Sequence, residues 1–288
     1  MATEPAGGGL PQAAGSTRTR PWAAPVTVRR HARLRAGERT SMRTSAENGG
    51  PRVVVVSAHA ADFVWRAGGA IARCVEDGGS VTVLCLSYGE RGESAALWRE
   101  PGATLETVKA ARHQEATNAA ETLGAAIEFL DAGDYPLTVT DAVLDALVAL
   151  FRREQPDVIL THAARDPYNL DHALTHELVL RARMVAQAHG LPDRETEPLG
   201  AAQVLAFEPH QPEQCDFVPD HLLDITSVFE RKHAAMKCMG GAQGHLVDYY
   251  VDLATRRGVQ AVRNGAPRSV ARAEAYMRTF PTVGSSLW

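Results

Sequence analysis

Residues 52–62 read RVVVVSAHAAD, and this stretch decides the fold. Four consecutive valines between Arg52 and Ser57 form a buried-strand pattern, because a strand covered on both faces has no polar side to alternate with. Beyond Ser57 the chain turns polar, and residues 62–77 take up a helical period that stops at Gly78-Gly79. A buried strand running into a helix is the first half of a βαβ unit, and the sequence repeats it. Residues 81–87 (VTVLCLS), 126–130 (AIEFL), 157–161 (DVILT) and 204–207 (VLAF) read as further strands. Residues 104–123 read as a helix stopped by Gly124, 140–154 as a helix capped by Thr140 or Asp141, and 172–189 as another. Strands alternating with helices of this length predict an α/β fold: one Rossmann-like domain, its mostly parallel sheet flanked by helices.

In such a sheet, ligands bind outside the carboxyl ends of the strands. Five polar loops fall on that edge: SAHAAD (57–62), YGERGES (88–94), DAGDY (131–135), THAARDPYNLDH (161–172) and FEPHQPEQC (207–215). The active site is expected there.

Composition narrows the function. The net charge is −4, but residues 1–45 hold eight arginines against two acidic residues, so removing that surplus of six leaves about −10 on the remainder. An acidic globular part argues against nucleic acid as a partner. No apolar run approaches the ~20 residues that cross a bilayer, so no membrane partner is expected. Cys74, Cys85, Cys215 and Cys238 are scattered without CxxC spacing, which points to reduced thiols and a cytoplasmic protein. Residues 1–50 lack hydrophobic periodicity and are read as a disordered extension, with the catalytic domain at 51–288.

His59 and Asp62 sit three apart at a strand-to-helix turn, and His172 opens a later helix on the same rim. Two imidazoles and one carboxylate suit a divalent metal, Zn2+ first, and leave a coordination position open. HxxD alone is a weak signal, more often a helix cap beside a packed histidine. Its pairing with Asp171-His172 on one sheet edge strengthens it.

These residues resemble the stations of the PIG-L (LmbE-like) zinc deacetylase superfamily. The opening AHAAD with Gly68-Gly69, GERGES at 89–94, Arg112-x-x-Glu115 with Leu123-Gly124, and Asp171-His172 carry the resemblance. Two departures stand out. Where those deacetylases carry an aspartate as general base this chain has Ala61, and where their second motif opens with histidine it has Asn169. Alanine accepts no proton and asparagine cannot become cationic. ADFVWRAGG (61–69), LSYGERGES (86–94), DPYNLDH (166–172), FEPHQPEQC and the stretch through Tyr249-Tyr250 and 257–261 are similar to one branch, the 4-oxalomesaconate hydratases of gallate breakdown. That resemblance implies a hydro-lyase adding water to a small tricarboxylate keto acid to give 4-carboxy-4-hydroxy-2-oxoadipate, in a chain expected to be a homo-oligomer. A zinc-dependent N-deacetylase is the alternative, and a metal-binding module without catalysis the non-enzymatic one.

A tricarboxylate needs cationic partners, and Arg66, Arg91, Arg112 and Arg165 are candidates, with Arg112–Glu115 also readable as a solvated i,i+3 pair. Tyr168 and Asn169 are further substrate-binding candidates. His162, Asp171, Glu208 and His210 end strands or sit in rim loops and are the proton-transfer candidates. Asp171 is equally readable as the carboxylate that orients His172.

Nothing in residues 1–45 can join a packed core. Deleting them is expected to leave the melting temperature and the activity unchanged; a large drop in melting temperature would show the segment to be structural.

Overall fold

The computed structural model describes residues 49–191 and 196–282; the extension read from composition lies outside the described residues up to residue 48. The described chain is an α/β domain with a seven-stranded sheet. Strands β1 (Arg52–Ser57), β2 (Ser80–Cys85), β3 (Ala126–Phe129), β4 (Val158–Thr161) and β5 (Gln203–Phe207) are parallel neighbours in the order β3-β2-β1-β4-β5. Helices α1 (Asp62–Glu76), α2 (Leu105–Leu123), α3 (Asp141–Glu154) and α4 (Leu170–Ala186) connect them or lead onward. The expected mostly parallel sheet is therefore present, with boundaries shifted by a few residues.

The valine run works as a strand buried on both faces. Val55 belongs to a core shared with α1 and α2, while Val54 and Val56 belong to a second core beneath α3 and α4. In β4 the same alternation sends Leu160 one way and Ile159 the other, as period-2 side-chain geometry requires. The helices begin where short polar side chains can take up unpaired backbone N–H groups. Thr104 accepts from Thr107 N in a capping box, Thr140 rather than Asp141 caps α3, and Asn169 caps α4. Helix α2 ends on Gly124 at φ +84°, a left-handed conformation that suits glycine.

The C-terminal third was not legible as structure. Strands β6 (His221–Asp224) and β7 (Ala273–Arg278) extend the sheet beyond β5 in the order β5-β7-β6, β7 being antiparallel to both neighbours. Helices α5 (Phe229–Cys238) and α6 (Val247–Arg263) lie between them in sequence, and Phe229, Ala235, Met236, Tyr250 and Ala254 complete the core over α1.

This extension is pinned by Glu274. Its buried carboxylate accepts from Gly69 N at 2.7 Å, Ala70 N at 2.8 Å, Lys232 Nζ at 2.6 Å and the Tyr276 hydroxyl at 2.5 Å. Gly69 is what lets the carboxylate reach the helix, since a Cβ there would lie 2.8 Å from Glu274 Oε1. Glu274→Leu strands the buried Lys232 ammonium and is expected to cost about 3–5 kcal/mol. Denaturant titration checks it: a loss under 1 kcal/mol would mean the pair is not holding α1 to the extension.

Candidate metal centre

The order β2-β1-β4 makes the gap between β1 and β4 the switch point of the sheet, where an open α/β fold leaves its crevice. His59 leaves β1, Asp62 opens α1, His162 leaves β4 and His172 lies in the first turn of α4. One ligand atom from each of His59, Asp62, Glu93 and His172 lies within 4.8 Å of the other three. The three ligands read from sequence are thus brought together. The fourth residue, Glu93, was missed, being one of two glutamates in the rim loop GERGES with nothing in the sequence to set it apart from Glu90.

The nitrogen atoms settle which way each imidazole works. His59 Nδ1 and His172 Nε2 are buried without a hydrogen-bond partner, and they are the atoms facing Asp62, at 3.3 and 3.5 Å. The opposite nitrogens are held by other carboxylates: His172 Nδ1 by Asp166 Oδ2 at 2.8 Å, His59 Nε2 near Asp171 Oδ2 at 3.4 Å. Imidazoles held by a carboxylate on one nitrogen, with the other orphaned and aimed at a shared point, are the arrangement of metal-ligating histidines. The donor set fits a divalent ion. Asp171 therefore orients His59 and not His172, which Asp166 serves instead.

The electrostatics agree. Burial lowers the His59 pKa, yet Glu93, Asp171 and Asp62 outweigh it and hold it well above the ordinary value. Burial raises the Asp62 pKa, and His162 and His172 reverse that, leaving it well below the usual carboxylate range. The cluster thus attracts positive charge. Glu93 is also lowered on balance, burial being overcome by His59.

The loops that carry these groups brace one another. Asp134 accepts from Arg91 N at 3.1 and 3.0 Å and from Gly92 N at 2.8 Å, tying DAGDY to GERGES. Ser94 Oγ donates to Gly89 O at 2.7 Å within the second loop. Asp171 accepts from Tyr135 N and Leu137 N, each at 3.0 Å. With these bonds and His59 outweighing burial, its pKa is held down to about 2.

The remaining candidates divide. Arg66 is 5% exposed, its Nε lies 3.5 Å from Asp62 Oδ1, and that nitrogen has no hydrogen-bond partner. Arg91 is exposed at the rim, its guanidinium donating to Asp134 O at 3.3 Å. Arg112 is not half of a solvated pair. It is fully buried, donates to Tyr88 O at 3.1 Å and Glu115 at 2.8 Å, and backs Glu93 from 4.0 Å, so it presents no accessible face to a substrate. Arg165 pairs with Asp216 at 3.1 Å on the surface, its side chain 57% exposed. Tyr168 is exposed, and Asn169 spends its side-chain oxygen on the α4 cap.

Among the proton-transfer candidates, both carboxylates are committed: Asp171 as above, and Glu208 to Arg257 through both oxygens. His162 Nε2 accepts from Ala58 N at 3.0 Å, and burial, with His172 beside it, pushes its pKa down to about 3. His210 lies at the edge with Tyr249 and Tyr250, its rings 5.5 Å from theirs, and burial followed by Arg66 lowers its pKa to about 4. Arg66, Glu208, Tyr250 and Arg257 line one small cavity next to the cluster.

Fold and site together define an α/β domain with a cluster of two histidines and two carboxylates on the sheet's carboxyl edge that could hold a metal ion. The profile of the GlcNAc-PI de-N-acetylase (PIG-L) family matches residues 54–183. A 4-oxalmesaconate hydratase of Pseudomonas putida is 52% identical over 237 residues, covering 81% of this chain and 91% of that enzyme. The crystal structure of a 4-carboxy-2-hydroxymuconate hydratase from P. putida KT2440 superposes with a TM-score of 0.79 at 50% identity, over 82% of this chain and all of that one. An N,N'-diacetylchitobiose deacetylase from Pyrococcus horikoshii shares the fold at 20% identity and a TM-score of 0.66, over 85% of this chain and 89% of its own. The chain belongs to the PIG-L family.

Removing the acceptor on His172 Nδ1 frees the ring to turn. Asp166→Ala is expected to weaken metal binding about 10- to 100-fold, read by competition with a chromogenic chelator. Wild-type affinity in that variant would show that Nε2 of His172 is not the ligand atom.

Proposed function

We propose that this protein is a metal-dependent hydro-lyase that adds water across the double bond of 4-oxalomesaconate, giving 4-carboxy-4-hydroxy-2-oxoadipate. The observation that carries the reading is the 52% identity to a hydratase over 91% of that enzyme. Ala61 and Asn169 support it, because the acid and the imidazole of the deacetylase motifs are absent here. His59, Asp62 and His172 would hold the ion, with zinc the first choice for this donor set. Bound there, it supplies Lewis acidity, acidifying water and offsetting charge that develops on the substrate.

The chain's own groups do the rest. Glu93 is the carboxylate of the cluster left over once His59, Asp62 and His172 hold the ion, and it accepts the proton of the attacking water. Electrons of the double bond move toward the conjugated carbonyl, and the adjacent carbon takes a proton from His210. That imidazole is neutral in the free protein, and a trianionic substrate raises its pKa toward the protonated form. Arg66 and Arg91 would pair with substrate carboxylates. The four cysteines are free thiols, in keeping with the cytoplasm as the proposed compartment, and no helix among the described residues is long and apolar enough to cross a membrane.

The PIG-L profile favours one rival, an N-deacetylase. A spectrophotometric assay on 4-oxalomesaconate, run beside an acetate-release assay on N-acetyl sugars, separates them. Loss of the conjugated absorbance is expected, abolished by chelation and restored by added metal, with no acetate released. Metal uptake without hydration would remove the proposal.

A further inference from the structure

Asn169 closes the N-terminus of α4, and its amide cannot be turned around. Oδ1 accepts the Asp171 backbone N–H at 3.1 Å, and a nitrogen in its place would set donor against donor. Nδ2 therefore faces the other way, 3.0 Å from the phenolic oxygen of Tyr135. An amide nitrogen has hydrogens to give and no lone pair to offer, so here it donates and the phenol accepts. The phenolic hydrogen is left over, and no acceptor among the described residues is hydrogen-bonded to it.

Tyr135 is also well placed to use that hydrogen. Its backbone N–H is bound to Asp171, its ring centroid is 5.8 Å from that of His59, and it is 49% exposed. The ring lies against Gly92, where any Cβ would come within 2.1 Å of Tyr135 Cε2. Two contacts thus fix the ring at the mouth of the cluster. The carboxylates Asp62, Glu93 and Asp171 only accept hydrogen bonds when ionised, so an anionic ligand needs donors from elsewhere. Burial, followed by Glu93, raises the phenol's pKa and keeps the hydroxyl protonated near neutral pH.

We propose that Tyr135 is a substrate-binding residue whose hydroxyl donates to a negatively charged oxygen of the acid bound over the metal cluster, and that Asn169 is the positioning residue that sets the direction of that donation. The proposal rests on the hydratase reading for the identity of the acid.

The test uses full-length wild type, Tyr135→Phe, Asn169→Ser and the double variant. Serine still caps α4 but is too short to reach Tyr135. Two readouts are taken: kcat/KM on 4-oxalomesaconate, and calorimetric binding of propane-1,2,3-tricarboxylate, which cannot react. Tyr135→Phe is expected to lower kcat/KM about 10- to 100-fold, the range for one hydrogen bond to a charged group, and to weaken the tricarboxylate, with metal content and melting temperature kept. Asn169→Ser is expected to lose part of that factor in wild type and nothing further in the Tyr135→Phe background. Wild type that binds the tricarboxylate without hydrating 4-oxalomesaconate would sink the reaction and leave the contact to be judged by binding alone. A Tyr135→Phe variant within twofold of wild type in binding, equal losses from Asn169→Ser in both backgrounds, or no tricarboxylate binding by wild type overturns the proposal.

Discussion

Three carboxylates crowd one buried imidazole. Asp62 and Glu93 each lie 3.3 Å from His59 Nδ1, and Asp171 lies 3.4 Å from its Nε2, with no carboxylate side chain more than 13% exposed. Two unit charges ~4 Å apart repel by about 4 kcal/mol at an effective dielectric near 20, so this arrangement calls for positive charge in its midst. The fold supplies partial compensation. Asp62 sits in the first turn of α1, where the helix dipole favours an anion. Asp171 takes two backbone N–H groups from the Tyr135 loop, and Arg112 stands behind Glu93. A cation at the shared point would meet the rest of the charge requirement, and two imidazole nitrogens are left without a hydrogen-bond partner there to receive it.

The first two-thirds of this architecture could be read from the sequence because the periodicities are unmixed. Valine, isoleucine and leucine runs have no polar face, and the helices between them end on glycine or begin on threonine and asparagine. Beyond Phe207 the rules mix. Strand β7 (AEAYMR) carries a glutamate in its interior, which by composition belongs in solvent. Only tertiary structure brings Gly69, Ala70, Lys232 and Tyr276 to that carboxylate. Helix α5 (FERKHAAMKC) likewise buries a lysine, so its apolar stripe is interrupted where its buried ion pair begins.

The site was legible to the extent that chemistry is carried by residue type. Histidine and aspartate on a sheet edge stand out in sequence, and the structure brings His59, Asp62 and His172 together. Their supporting partners do not stand out, because a carboxylate in a polar loop looks the same whether it binds water, an imidazole or an arginine. Asp166 and Asp171 lie in one motif, yet they serve different histidines. Glu208 looked free and is bound by Arg257, some fifty residues on and brought near by packing alone. Tyr168 is the tyrosine that the sequence offers as a substrate-binding candidate, while the tyrosine that meets Asn169 comes from the DAGDY loop.

The same charge balance accounts for the residue at position 61. Ala61 is fully buried and adjoins Asp62 in the chain. A carboxylate there would be a further anion beside a cluster that already holds three, in surroundings that solvate it poorly. A neutral acetamide adds no charge of its own, and a deacetylase with its aspartate base can tolerate the excess. A tricarboxylate brings more negative charge than the ion offsets, so each additional carboxylate in the wall repels the substrate directly. With alanine at 61, the proposed mechanism gives the proton to Glu93, which reaches the cluster from a separate loop and is backed by a buried arginine. On this argument the alanine follows from substrate charge. Asn169 answers a different need, since its amide holds the Tyr135 phenol at the mouth of the cluster.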